Sequence, residues 1–256
     1  MTRRLPPRPG VIVVERPGGY NRAATADAGV FPAPTGDAMP VYDAARANMV
    51  ESQIRPNKVT DERVIAAFSQ VRRELFVPPA LAAVAYADDD LALGGGRFLM
   101  QPMVAARLLQ AAMISRNDAI LVVSAGTGYE ATAAALIGRS VIALENDSGL
   151  ARIGHAALVE HRIAAATFVE GPPRQGHRAR APYDVILFGG AVPEIPEDIK
   201  SQLGEGGRMV AVLRPGPGVG RATLFTRTGG IIAHRAIFDA GIPLLADFVT
   251  KPAFVF

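Results

Sequence analysis

Between residues 120 and 145 the sequence places two kinds of group suited to holding a polar ligand that carries a sugar ring. The first is a turn of small residues, Ser124, Ala125, Gly126, Thr127 and Gly128, which lets backbone come close to a bound molecule. The second is Glu145, a carboxylate able to accept hydrogen bonds from two ribose hydroxyls. The apolar run Ile120 to Val123 precedes the turn, and helix-prone Tyr129 to Ile137 follows it. Val141 to Glu145 then reads as a second strand tipped with an acid. A strand, a glycine turn, a helix and an acid-tipped strand make half of a nucleotide-binding α/β sheet.

The elements that must position these groups follow from periodicity. Strands are expected at 119–124, 140–145, 166–170, 183–188 and 208–213, with helices at 149–162 and 196–203 between them. Such alternation implies parallel pairing with right-handed crossovers. The end differs: Ala222 to Arg227 and Ile231 to Phe238 flank Thr228, Gly229 and Gly230, a hairpin signal that closes the sheet with an antiparallel pair. Upstream, Asp43 to Ile54 reads as a helix, and a second is capped by Thr60 with Asp61 and Glu62 in its first turn. Ala80 to Tyr86 forms a short helix, residues 88–96 an acidic then glycine-rich loop, and Pro102 opens a helix reaching Met113. Prolines at 6, 7, 9, 17, 32, 34 and 40 exclude a long helix near the start. Residues 1–41 are therefore expected to be a mobile extension in which Val11 to Val14 could add an edge strand. Residues 42–115 then form a helical cap with a substrate loop, and 116–256 the cofactor-binding sheet.

Composition narrows the classes. The 256 residues, 49% hydrophobic, suffice for one α/β domain with a large core. There is no cysteine, which excludes disulfides, thiol catalysis and cysteine-built zinc sites. The histidines at 155, 161, 177 and 234 lack metal-ligand spacing and are expected on the surface, so no metal is expected. The net charge of +3 is spread out, so nucleic acid is not an expected partner. No apolar run approaches the ~18 residues of a spanning helix. Val11 to Val14, interrupted by Glu15, is too short for a signal segment, so a cytoplasmic protein is expected.

A pyrophosphate-binding turn would carry Gly-x-Gly-x-x-Gly, and the third glycine is missing. With the antiparallel ending, the pattern fits the class I S-adenosylmethionine methyltransferases, whose ligand has a ribose and an adenine but no phosphate. From about Met49 to Val212 the chain further resembles the protein-L-isoaspartate O-methyltransferases. The likeness runs through Met49-Val50, Gln53-Ile54, Val71 to Pro78, Ala85-Tyr86 and Asp88, then Leu91 to Gly94 and Gln101-Pro102. It continues through Ala181 to Ile186, Pro193 to Pro196, Gln202-Leu203 and Glu205 to Val210. The ending, Lys251 to Phe256, resembles a divergent bacterial branch.

The resemblance implies a Rossmann-like class I methyltransferase sheet, mostly parallel, with an antiparallel carboxyl-terminal hairpin and an amino-terminal helical cap. It implies methyl transfer from S-adenosylmethionine to the α-carboxylate of isoaspartyl residues in damaged protein or peptide. The ester then cyclises to a succinimide that reopens partly to normal aspartate. A carboxylate is already a nucleophile, so the enzyme supplies alignment and exclusion of water. Ser124 to Tyr129, Glu145, Asn146 and Gly171 would line the cofactor site, and Met100, Gln101 and Asp88 the reacting end.

Three departures stand out. The family's Ser-Gln-Pro loop reads Met100-Gln101-Pro102, and a thioether donates no hydrogen bond. A carboxylate there would lose about 1.5–3 kcal/mol. The family's Gly-x-Gly-x-Gly turn has Ser124 at its first glycine and Val122 at its preceding acid, and a Cβ at 124 resists positive φ. The Gly-Asp-Gly segment after the third strand is Gly171-Pro172-Pro173, without the aspartate that would meet the adenine. Glu145 is left as the main acid for the cofactor. These losses keep open a non-catalytic descendant acting as a binding module, and an enzyme for a small-molecule acceptor. Base methylation ranks last, because Phe188-Gly189-Gly190-Ala191 replaces the Asn/Asp-Pro-Pro-aromatic motif.

Overall fold

A computed structural model describes residues 39–249. Val11 to Val14, the rest of the proline-rich start and the segment 250–256 lie outside the described residues. Helix α1 (Met39–Met49) runs into a π-turn (Val50–Ile54). Helix α2 (Glu62–Gln70) buries Val64, Ile65, Ala67 and Phe68 along one face. Its cap is Asp61 rather than Thr60: the Asp61 carboxylate accepts from the Arg63 N–H at 2.9 Å. The backbone N–H groups of both Thr60 and Asp61 are tied to Gln110 Oε1, which places Thr60 one residue before the helix entry.

The glycine-rich segment expected as a loop is a small antiparallel hairpin, β1 (Leu91–Gly94) and β2 (Arg97–Leu99). Its strands are too short to show a period of two. Helix α3 (Pro102–Ala111) follows, opened by its proline as expected. Next come β3 (Ala119–Val123), α4 (Tyr129–Ala135), β4 (Ser140–Glu145), α5 (Ser148–Glu160) and β5 (Ala166–Glu170). The chain then forms β6 (Tyr183–Val192), α6 (Glu197–Lys200), β7 (Leu203–Leu213), β8 (Gly220–Thr228) and β9 (Ile231–Ala240). The seven-stranded sheet has the order β5-β4-β3-β6-β7-β8-β9. Pairings from β5 to β7 are parallel, and β7–β8 and β8–β9 antiparallel, so the hairpin signal at Gly229-Gly230 closes the sheet.

Side chains of β3 alternate. Ile120 and Val122 enter the core under the helical cap, whereas Leu121 and Val123 enter the core of the opposite face. Strand β6 runs four residues beyond its expected end because Ala191 pairs with the carboxyl-terminal segment: its N–H donates to Pro243 O, and its carbonyl accepts from Leu245 N. This segment, residues 243–248, is a strap along the carboxyl edge of the sheet, with Leu245 and Phe248 buried. His161 is half-buried rather than on the surface: its ring packs 5.9 Å from Phe76 and its Nε2 accepts from Arg72 N. Among the described residues no helix is long and apolar enough to cross a membrane.

Candidate functional site

The turn after β3 and the end of β4 meet as the spacing requires. Gly126 has φ 58°, and its N–H donates to Glu145 Oε2 at 2.7 Å. The N–H groups of Asn146 and Asp147 donate to Glu145 Oε1 at 2.9 and 3.1 Å. A carboxylate ringed by backbone donors at a strand end is held rigidly, which suits it to orient a diol.

Glu145 is wholly buried, however, and its remaining capacity is taken. Arg97, the first residue of β2, donates from Nε to Oε2 and from Nη2 to Oε1, both at 3.0 Å. The same Nη2 reaches Asn146 Oδ1 at 2.7 Å and Asp247 Oδ2 at 2.5 Å, and Asn146 Nδ2 donates to Asp247 Oδ1. The Arg97 side chain is 3% exposed. Burial alone would lower its pKa; the hydrogen bonds and charges of Glu145 and Asp247 outweigh that and raise it above its ordinary value. Arg97 and Asp247 were not legible as site residues. The signal that could have found Arg97 is a lone charge in the apolar stretch Leu91 to Met100, which demands a buried counter-charge.

The other anticipated cofactor residues divide. Ala125 donates its N–H to Leu144 O, binding the turn to β4, and Gly171 donates to the Glu145 carbonyl. Ser124 adopts φ 53°, so the chain keeps a left-handed conformation despite a Cβ, and its buried Oγ finds no partner. Thr127 turns away, its hydroxyl donating to Phe76 O at 2.8 Å. Gly128 has φ 83°, and a Cβ there would overlap the Phe168 ring, so in this arrangement its want of a side chain serves packing. The Tyr129 ring lies in the core, edge-on to Phe68 and Phe76 at 5.5 and 5.4 Å, with the Arg73 guanidinium 4.8 Å from its centroid. Burial pushes its hydroxyl up to about 12.

At the anticipated reacting end, the Met100 side chain is buried and its carbonyl accepts from Arg73 Nη2 at 2.6 Å. Gln101 sits at the cap position of α3, but its side chain makes no capping bond. Its backbone N–H donates to Asp90 Oδ1 at 2.9 Å. Asp88 is exposed, so the aspartate joined to this loop is Asp90, which the acidic run 88–90 did not distinguish. Burial, with Asp89 and Asp88 adding to it, raises Asp90 to about 6 against the bond from Gln101. Glu130 is also buried, which pushes it up to about 7, and one of its oxygens has no hydrogen bond.

Comparison with known proteins gives a consistent picture. The family described as protein-L-isoaspartate(D-aspartate) O-methyltransferase matches residues 44–233. A protein-L-isoaspartate O-methyltransferase of Methanoculleus marisnigri is 36% identical over 203 residues, covering 79% of this chain and 92% of the relative. One from Methylorubrum populi is 37% identical over 187 residues, covering 73% and 87%. Among solved structures, a protein-L-isoaspartate O-methyltransferase aligns with TM-score 0.68 at 23% identity, over 78% of this chain and 65% of the other. A Plasmodium falciparum protein-L-isoaspartate O-methyltransferase, solved with S-adenosyl-L-homocysteine, aligns with TM-score 0.65 at 18% identity, over 80% and 98%. At these identities the two structures speak to the fold.

Proposed function

This chain belongs to the protein-L-isoaspartate(D-aspartate) O-methyltransferase family, and from that premise we propose that it methylates the carboxylate of isoaspartyl residues in damaged protein or peptide as a cytoplasmic enzyme. Family membership makes it an S-adenosylmethionine-dependent O-methyltransferase. The observation that carries the reading is Glu145: a buried carboxylate at the end of β4, braced by three backbone N–H groups beside a positive-φ glycine.

The donor set suits a ribose-bearing cofactor in kind, because Glu145 supplies paired acceptors and Gly126 a backbone open to close approach. It suits the cofactor in place once Arg97 has left the carboxylate, since both molecules need the same oxygens. S-adenosylmethionine, when bound, supplies an electrophilic methyl group on a sulfonium. Glu145 would hold the ribose diol, with Asn146, Gly171 and the turn 124–128 around it. Residues 42–115 form the substrate-facing cap in this reading. The acceptor carboxylate needs no base, so the cap's task is to hold it. Met100 offers no donor. Gln101, whose amide is not used in capping, would give the carboxylate a hydrogen bond, with Asp90 fixing its backbone. Asp88, exposed on the same loop, would face the substrate main chain.

The test is methyl transfer from labelled S-adenosylmethionine to an isoaspartyl peptide, with the aspartyl peptide as control. A base-labile ester on the isoaspartyl peptide alone is expected. No transfer from a protein that binds S-adenosylhomocysteine would remove this substrate from the reading.

A further inference from the structure

Three segments far apart in sequence meet at one carboxylate. The first is the hairpin tip: a Cβ on Gly95 would stand 3.0 Å from Asp147 Oδ2, and one on Gly96 would stand 3.3 Å from Ala246 Cβ. Leu93 of the same hairpin lies over Gly126, 3.4 Å from where its Cβ would be. The second is the end of β4 with Glu145, Asn146 and Asp147. The third is the strap, where Asp247 binds both Arg97 and Asn146. The strap is anchored on both sides of Asp247. Leu245 N donates to Ala191 O at 2.8 Å, and the Phe248 carbonyl accepts from Arg174 Nη1 at 3.2 Å, beside Pro172 and Pro173.

A carboxylate has about four lone-pair positions. Glu145 accepts from Gly126 N, Asn146 N, Asp147 N and twice from Arg97, so no position is left for a diol. The three backbone donors are main-chain groups of the turns directly after β3 and β4, whereas Arg97 is held by its side chain. Arg97 can leave, because its hairpin is four and three residues long and is joined at its tip by glycines. Cofactor binding at Glu145 is therefore an exchange, with guanidinium out and diol in.

We propose that Arg97 is an internal competitor for the cofactor ribose, and that the hairpin tip, latched to the strap through Asp247, sets this chain's affinity for adenosyl ligands. The inference rests on the methyltransferase reading above. The apparent dissociation constant is the intrinsic one divided by the fraction of molecules with Arg97 released. Weakening the latch raises that fraction without touching Glu145 or the turn.

The test is titration of the full-length chain with S-adenosylhomocysteine, by calorimetry and by thermal shift, for wild type, Arg97→Met and Asp247→Asn. Arg97→Met is expected to bind about tenfold tighter or more, and Asp247→Asn about threefold to tenfold tighter. Each is expected to show a larger ligand-induced rise in Tm than wild type. If Arg97→Met does not fold, Asp247→Asn alone decides. A wild type that fails to bind while a variant binds supports the latch in its strongest form. A wild type that binds, with variants equal or weaker, overturns the latch and leaves the methyltransferase reading standing. Binding by none of the three overturns both, and leaves a family member whose crevice has been sealed.

Discussion

The Arg97 guanidinium and the Glu145 carboxylate, 48 residues apart, form a paired, buried contact at the end of β4, the place proposed above for the cofactor's ribose. Neither charge can be removed alone without stranding the other in a desolvated place. Breaking one side of such a pair costs about 3–5 kcal/mol, whereas replacing both sides is close to neutral. Glu145→Gln and Arg97→Met are each expected to lose stability in urea unfolding. The double variant should recover most of that loss, a coupling of about 2 kcal/mol or more. It should bind S-adenosylhomocysteine about tenfold more weakly, or worse, than Arg97→Met does, since an amide offers a diol one acceptor oxygen where the carboxylate offers two. Additive losses would mean that the contact contributes nothing to the fold.

Ser124 holds the left-handed conformation of a glycine while burying a hydroxyl that has no partner. A Cβ in that conformation costs about 1–2 kcal/mol, and the unpaired hydroxyl adds to it, offset partly by glycine's greater freedom in the unfolded chain. Ser124→Gly should therefore stabilise the protein by about 1 kcal/mol. The midpoint of urea denaturation reads this directly, and an unchanged or lower midpoint would contradict it.

Glu130 carries a pH dependence of definite sign. Burial raises its pKa from 4.5 to about 7, so the folded chain holds the proton more tightly than the unfolded chain does. Its contribution is fully present below 4.5 and is lost as the pH rises through about 7. Glu130→Gln should leave stability at pH 4 nearly unchanged and raise it at pH 8 by about 2–3 kcal/mol. Asp90, raised from 3.8 to about 6, works in the same direction, so a residual slope should survive in the variant. Parallel stability curves for wild type and variant would rule this out.

Gln101 separates substrate holding from folding. Its side chain makes no capping bond, so Gln101→Ala should leave Tm and S-adenosylhomocysteine affinity unchanged. A hydrogen bond to a charged group is worth about 1.5–3 kcal/mol, so kcat/KM for an isoaspartyl peptide should fall about tenfold to a hundredfold. An unaltered kcat/KM would leave the carboxylate without its proposed donor.

Met100 argues against a simple reversion. The Met100 side chain, standing where the resemblance leads one to expect a serine, is 2% exposed and belongs to the main core. Met100→Ser should cost about 2–4 kcal/mol through a cavity and a buried hydroxyl. Thermal denaturation checks this, and a Tm equal to wild type would show that the site collapses without loss.

Local patterns were enough for the scaffold. The apolar run at 120–123, the glycines at 126 and 128 and the acid at 145 announced a strand, a turn and an acid-tipped strand, because each signal lies within about ten residues. Glycines 229 and 230 likewise announced the antiparallel closure. Boundaries slipped where a distant segment supplied the hydrogen bonds, as at Ala191, whose partners come from the strap. Side-chain surroundings needed the fold as well. The Phe168 ring against Gly128 gives that glycine a packing constraint no local pattern carries, and Asp90 is one of three adjacent aspartates until Gln101 N reaches it.

The sequence alone determined that a carboxylate would stand at the end of the second parallel strand, since strand length and residue order decide that. Only the tertiary structure decided what that carboxylate holds. Arg97 and Asp247 lie 150 residues apart and share no local pattern with Glu145. What pairs them is desolvation: Arg97 and Glu145, carried into the interior by separate segments, must satisfy one another or stay in water, and the half-buried Asp247 completes the set.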